Sequence, residues 1–488
     1  MTRQKRPLLI CLTMLVLAGC AASAHSTLPL VDDRQIIHLL NRISFGPSPG
    51  DIGKVREQGI EAYIEQQLKP SSIPKSDVLQ TRLSALNTLE ASISQLSTDF
   101  EPPAEQLKNM SEEERKQANK NKNRIVFELE QAKVLRALLS PAQLQELMLD
   151  FWFNHFNVFA EKGTDKIWIS SYERDAIRPY ALGKFRDLLR ATAQHPAMLF
   201  YLDNWLNTAP DSPGARGKKV GVNENYAREL LELHTLGIDG GYTQQDVTTL
   251  AHILTGWGLA NGKELWQRST FFFNPRRHDF ADKTLLGLKV QGQGAAEIET
   301  VLDRLASHPA TAKHIAYQLA QAFVADEPPK TLVDQLSNSF LSTDGDIAAV
   351  LRALFRSNEF WDKQYARNKF KPPFRYVISA LRAGEVVPQG DTRAIQGALR
   401  NMGEPLYRCL TPNGYANRKD QWLNPDALLK RIDFAKALNR LFIDDSIDRN
   451  ILNSFAGDWS KNTLDTVQNA ESRLKAVLLL NSPEFLYY

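Results

Sequence analysis

The stretch NENYARELLELHTLGIDGGYTQQDVTTLAHILTGWG, residues 223–258, decides the reading of the fold. Tyr226, Leu230 and Leu233 recur at helical steps and form an apolar side, with His234 pointing near Leu230 and Ala227. The glycines of GIDGG make a turn. Thr243 then caps a second helix, with Asp246 at its third position as in a capping box. At the helical angle per residue, Asn225, Arg228, Glu229 and Glu232 fall within an arc of about 100°, with Glu224 at its edge. Three acids, an amide and an arginine thus share one face. Glu229 and Glu232 are three residues apart and repel each other, so burial would raise the proton affinity of one of them. A neutral carboxylic acid beside an ionised one is what acid/base catalysis needs. The structural alternative is a solvated face carrying an Arg228–Glu232 pair.

The same helical periodicity extends outward along most of the chain. RIVFELEQAKVLRALL, from Arg124, and SPAQLQELMLDFWFNHFNVF, from Ser140, read as amphipathic helices, the second opened by a Ser-Pro start signature. Residues 76–96 read as one longer helix. A charged insert at about 98–124 reads as solvated helix with a weak middle. DKIWISSYERDAIRPYALGKFRDLLRATAQHPAMLFYLD, from Asp165, gives two more helices broken by Pro179 and Gly183. NTAPDSPGARGKKVG, residues 207–221, is a long polar loop of the kind that is often functional. Aromatic and β-branched residues at about 265–290 read as one small β-hairpin turning at Asn274-Pro275. After Ala295 the chain reads as helix again, except for an irregular aromatic loop, EPLYRCLTPNGYANRKDQW, residues 404–422. The fold class expected is mainly α, a multi-helical globular array with one small β-hairpin insertion. His-Pro-Ala recurs at His195 and His308 without a regular period, so no solenoid is established.

The ends and totals bound the function. Arg3, Lys5 and Arg6 precede the apolar run Pro7–Leu17, which is too short to span a bilayer and suits a signal peptide. The run ends in LAGC, residues 17–20, which resembles the lipobox of bacterial lipoproteins. That resemblance implies a signal peptide over 1–19, lipidation of Cys20, a tether over 20–32, and outer-membrane destination because Ala21 follows. The whole chain holds 59 basic and 56 acidic residues. Loss of the leader removes three basics and no acids, so no net basic field remains to attract nucleic acid. Of three cysteines only Cys409 stays free after processing, which excludes an intramolecular disulfide and demands a large core.

Other polar residues compete for a role. His155 and its amide neighbours sit among aromatics, either as satisfied core groups or facing a cleft. His278 and Asp279 lie in a basic loop, but adjacent residues do not orient each other like a catalytic pair. Trp257, bracketed by glycines, is a stacking platform for a sugar or a helix end packed on the core. HExxH, CxxC, paired Glu-x-x-His, GxSxG and phosphate-loop patterns are absent, so no cofactor is identified. A metal held by His155, His234 or His278 with Glu229 is a minor reading.

HLLNRISFGPSP, FWFNHF, YERDAIRPYALGKFRDLLRATAQHPAMLFYLDN, NENYARELLELHTLGIDGGYTQQDV, LTGWG, HPATAKHIAYQLAQAFV and GDIAAVLRALFRSNEFW resemble the bacterial family called domain of unknown function 1800. The resemblance runs over about 33–488. It implies an exported, mainly helical protein, encoded near members of a second exported family, domain of unknown function 1501, which makes such a protein a candidate partner. It brings no catalytic residues with it.

The expectation is an envelope-anchored hydrolase or lyase acting on an extracytoplasmic polysaccharide. Glu229 and Glu232 would be acid and base or nucleophile, assisted by His155 and His278. Asn225, Arg228, Asp279 and Trp257 would bind substrate. The alternative is a non-catalytic scaffold or accessory lipoprotein, and a metal or redox protein is third. Urea unfolding separates the roles of the acidic face. If the face is a buried structural network, Glu229→Gln or Glu232→Gln loses about 2 kcal/mol or more, because a paired charge loses its partner. If it holds like charges together for function, one of these substitutions is neutral or stabilising.

Overall fold

The computed structural model describes Met1 and residues 32–488, apart from 217–220, 261, 263–266, 268 and 442–445. The leader, the proposed lipidation site Cys20 and nearly all of the tether lie outside the described residues. The chain is mainly helical, as its periodicity predicts. Seven helices matter for the site: α1 (Glu112–Leu139), α2 (Gln143–His155), α3 (Asp165–Ser171), α4 (Asn225–Glu232), α5 (Gln244–Ile253), α6 (Pro309–Phe323) and α7 (Pro373–Ala383). A single contiguous apolar core runs from Ile36 to Leu486. Among the described residues no helix is long and apolar enough to cross a membrane.

The strand region differs from expectation. Instead of one hairpin turning at Asn274-Pro275, there are two two-stranded antiparallel sheets. β1 (Trp257–Leu259) pairs with β2 (Phe271–Phe273), and β3 (Lys283–Leu285) pairs with β4 (Leu288–Val290). Asn274 accepts from the Arg276 N–H at 3.1 Å and starts a 3-10 turn, Pro275–Arg277, so the expected hairpin tip is a link between sheets. Trp257 opens a strand where its sequence reads as a helix end. The helix expected over 76–96 is also broken, into Asp77–Ser84 and Ile93–Phe100. Between them the Thr88 backbone N–H and hydroxyl both donate to Glu128 Oε2, at 2.8 Å each, and this long-range anchor outcompetes helical continuation. The charged insert is helical. A short helix, Ala104–Asn109, precedes the capping box of Ser111 and Glu114 that starts α1.

The segment after α3 carries the most consequential departure. Tyr172–Ile177 is a π-helical turn, with Arg178 N–H donating to Glu173 C=O. Such turns occur mostly as isolated bulges and often mark functional sites. A 3-10 turn, Arg178–Tyr180, follows, because Pro179 has no N–H to continue the ladder. Glu173, the second residue of this turn, is buried. Tyr407 donates to its Oε2 at 2.6 Å, and Arg178 to its Oε1 at 3.4 Å. Arg136 of α1 stands 3.6 Å from the same oxygen. Arg178 also grips Glu146 of α2 through two parallel bonds of 3.0 and 3.1 Å. Burial alone would raise Glu173, but Arg178, Lys133, Arg136 and the Tyr407 hydroxyl outweigh it and hold the carboxyl below its usual range.

Removing one partner of a buried pair is costly because the other charge stays behind desolvated. Arg178→Met strands Glu146 and weakens the hold on Glu173, so it should cost about 3–5 kcal/mol. Urea denaturation at neutral pH measures this.

Candidate active-site cleft

The face of α2 explains the main opening in the molecule. Leu147, Asp150, Phe151, Asn154 and His155 follow an i, i+3, i+4, i+7, i+8 stripe, which puts them on one side of the helix. That stripe lines a cleft of about 580 Å³ instead of the core. The size is typical of a ligand site.

The opposite wall is the irregular segment from Glu404 to Arg418. Amides of α2 and the residues just after it hold this wall in place. Asn154 accepts from the Tyr415 N–H at 2.7 Å and donates to the Tyr415 carbonyl at 2.8 Å. Asn157 donates to the Cys409 and Thr411 carbonyls at 3.0 and 2.9 Å. Position 414 must be glycine: φ is +68°, and a Cβ there would lie 2.4 Å from the Asn154 carbonyl oxygen. Tyr407 is buried with φ +59°, a left-handed conformation that costs a residue of this size about 1–2 kcal/mol. Its hydroxyl bond to Glu173 offsets that strain and fixes the ring in the cleft wall.

Three ionisable groups line the cleft around Tyr407. Lys133 of α1 lies 2.6 Å from Asp150 Oδ1. Its ammonium also faces the rings of Phe153, Phe374 and Tyr407, with 5.0 Å to the Tyr407 centroid. Glu404 accepts from the Phe374 N–H, at the start of α7, at 2.7 Å. Glu404 is half-buried and lines the cleft. Burial first, and then the Asp150 charge, push it up to about 8, while the Phe374 bond, Lys133 and Arg431 pull the other way. Glu404 is therefore a neutral acid at neutral pH, next to a carboxylate paired with a lysine. Such an unequal pair can donate a proton to a leaving group and take one from a nucleophile.

His155 is the one sequence-predicted site residue on this cleft. Burial, followed by the proximity of His314, lowers it to about 3, and its Nε2 lies 3.2 Å from the His234 carbonyl. It is a neutral polar group in the cleft floor. His234 is buried behind it.

The other predicted residues lie elsewhere. Glu229 and Glu232 sit on a half-buried face of α4 and do not line the cleft. The expected Arg228–Glu232 pair is replaced by Arg228 with Glu224 at 3.1 Å, because Gln244 and Thr248 of α5 also converge on Glu224. Glu229 is raised by burial and then by Glu232, against Arg228. Glu232 accepts from the Tyr242 hydroxyl at 3.3 Å. Asn225 donates to the Leu202 carbonyl at 3.2 Å.

His278 is removed from any open site. Its side chain is fully buried, its Nε2 lies 2.8 Å from Glu297 Oε1, and its Nδ1 lies 2.7 Å from the Thr255 carbonyl. Asp279 pairs with His252 at 2.8 Å, not with its neighbour. Trp257 is no open platform: it is buried, donates to the Ala193 carbonyl at 3.1 Å and packs on Phe271. Among the described residues no group of three or more His, Cys, Asp or Glu is arranged to hold a metal ion.

Sequence reasoning missed Lys133, Asp150 and Glu404. Lys133 had a signal, a lysine between buried Ala132 and Val134 in an amphipathic helix. Asp150 had its place on the α2 stripe. Glu404 had none beyond opening the irregular loop, since its proton affinity comes from packing under Phe374.

A carboxyl raised in the folded state contributes stability fully below its ordinary pKa of 4.5 and loses it as pH climbs toward the folded value of about 8. Glu404→Gln removes that loss. The variant should therefore gain on the wild type by about 1 kcal/mol per pH unit between pH 5.5 and 7.5. Urea midpoints across that range read the difference.

The chain belongs to the family described as Protein of unknown function (DUF1800), whose model matches residues 38–487. No curated protein and no solved structure matches it.

Proposed function

We propose that this family member is a hydrolase or lyase acting on an extracytoplasmic polysaccharide, with its reaction centre in the α2 cleft and not on α4. One observation carries the reading: Glu404, raised to about 8, faces the Asp150–Lys133 pair in an open cleft lined by aromatic rings and amides. In hydrolysis Glu404 gives its proton to the glycosidic oxygen as the C–O bond breaks. Asp150 takes the proton of the attacking water, or attacks the anomeric carbon itself. In elimination Asp150 removes a ring proton, and Glu404 again protonates the leaving oxygen. Lys133 holds Asp150 in place through their ion pair. His155, neutral in the floor, is left to hydrogen-bond substrate. Phe151 and Tyr415 offer faces for sugar rings.

Glu229 on α4 is raised by burial and then by Glu232, but its place outside the cleft makes this face the weaker centre. A non-catalytic accessory role has its own support. The Glu224–Arg228–Gln244–Thr248 network ties α4 to α5, and Leu206, Ile238 and Leu410 are exposed. In that role an exported domain of unknown function 1501 protein is the partner to test.

Release of reducing ends or unsaturated products from a panel of polysaccharides tests the chemistry. Glu404→Gln and Asp150→Asn should each lower kcat by about 10²–10⁴-fold, with Glu404→Gln still folded. Wild-type turnover in Glu404→Gln removes this centre. The proposed lipid anchor at Cys20 has a separate test. Palmitate labelling and membrane pelleting should both be lost in Cys20→Ala, and membrane association unchanged in that variant contradicts the anchor.

A further inference from the structure

The α2 cleft does not end at its own wall. Arg418 lines it and also lines a second depression, of about 340 Å³, bounded by Asp326, Tyr365, Asn368, Lys419 and Asp420. The backbone that carries Arg418 is pinned from both sides. Upstream, Asn154 holds Tyr415 through two bonds. Immediately before Arg418, Lys369, almost wholly buried, donates to the Asn417 carbonyl at 2.9 Å and also to Asp326 Oδ1 at 2.5 Å. Asp326 Oδ2 in turn accepts from the Lys419 N–H at 2.8 Å. The side chain above this rigid base is loosely engaged. Arg418 is 42 % exposed, and its contacts to Glu327 and Asp420 are long, at 3.6 and 3.5 Å. A guanidinium on a fixed base, half in each hollow, suits a ligand that passes through both.

We infer that the cleft and the Arg418 depression form one extended groove for a neutral, hydroxyl-rich glycan chain, with a distal subsite at Arg418, Asp420 and Tyr365. This rests on the polysaccharide reading and deepens it from a reaction class to a substrate class. Charge offers an acidic polymer no net attraction: with Glu404 neutral, the cleft and the depression together present Asp150, Asp326, Glu327 and Asp420 against Lys133, Arg375, Arg418 and Lys419. Carboxylates and a guanidinium with donor or acceptor positions to spare are the partners that paired sugar hydroxyls require. A small substrate would have no use for the second hollow. A chain gains from it by contributing further contacts at no added cost of association.

The test is binding to the full chain bearing Glu404→Gln, which prevents turnover. The probes are dimers and hexamers of the cello-, chito- and malto-series, with oligogalacturonate hexamer as the acidic comparison, titrated by calorimetry. The expected result is a hexamer of one neutral series binding at least tenfold more tightly than its dimer. Arg418→Ala and Asp420→Asn should each bring that ratio toward one. Both positions are exposed, so thermal melting near the wild-type temperature shows that the variants are folded. Equal affinity for dimer and hexamer overturns the extended groove, as does tighter binding of oligogalacturonate or binding of none of the probes. A ratio that neither variant moves overturns the distal subsite. The underlying reading fails differently, by undiminished polysaccharide turnover in Glu404→Gln, so the two failures are distinguishable.

Discussion

The buried carboxylate of Glu173 is the constraint on which the cleft depends. It has left water, and a charge in that position survives only with partners. The chain supplies Arg178 from the turn that follows, Arg136 from α1 and the hydroxyl of Tyr407 from the far wall. Arg136 and Tyr407 are distant in sequence, and Arg178 also holds Glu146, so satisfying one carboxylate fixes the relation of α1, the π-helical turn, α2 and the 404–418 segment. The π turn closes with the Arg178 N–H on the Glu173 carbonyl, so the carboxylate and one of its guanidinium partners belong to the same turn.

The same network sets the electrostatics of the cleft. Lys133 lies one turn before Arg136 on α1, so locating Arg136 at Glu173 also locates Lys133 among Phe153, Phe374 and Tyr407. There its partner is Asp150, and Asp150 in turn makes ionisation of Glu404 unfavourable. Structure and proposed chemistry are thus linked by unequal treatment of acids. At Glu173 the cations and the Tyr407 hydroxyl outweigh burial and hold the carboxyl below its usual range, whereas at Glu404 burial and the Asp150 charge outweigh the Phe374 N–H, Lys133 and Arg431 and push it up to about 8.

How much of this was legible follows from what each feature depends on. The helical class depends on local periodicity, and the Thr243 capping box could be read directly. The small β insertion was legible, but the pairing of β1 with β2 joins Trp257 to Phe273 across a segment with no local signature, so its turn was misplaced at Asn274-Pro275. The acidic face of α4 was correctly placed on one side of its helix. Its salt bridge was misassigned because Gln244 and Thr248, on the next helix, draw Glu224 toward Arg228. His278 looked reactive in a basic loop, and only the fold shows Glu297 closing over it. Glu404 could not be found from sequence, since its chemistry comes from burial beneath a helix that begins thirty-one residues earlier.

The central claim is that Glu404 remains a neutral acid in the cleft at physiological pH. It can be observed directly by infrared difference titration, taking the wild-type spectrum minus that of Glu404→Gln from pH 4 to 10. A protonated-carboxyl band that persists through pH 7 and disappears near pH 8 is the predicted result. A band lost near pH 4.5, as for an ordinary glutamate, would contradict the account and with it the assignment of Glu404 as the acid.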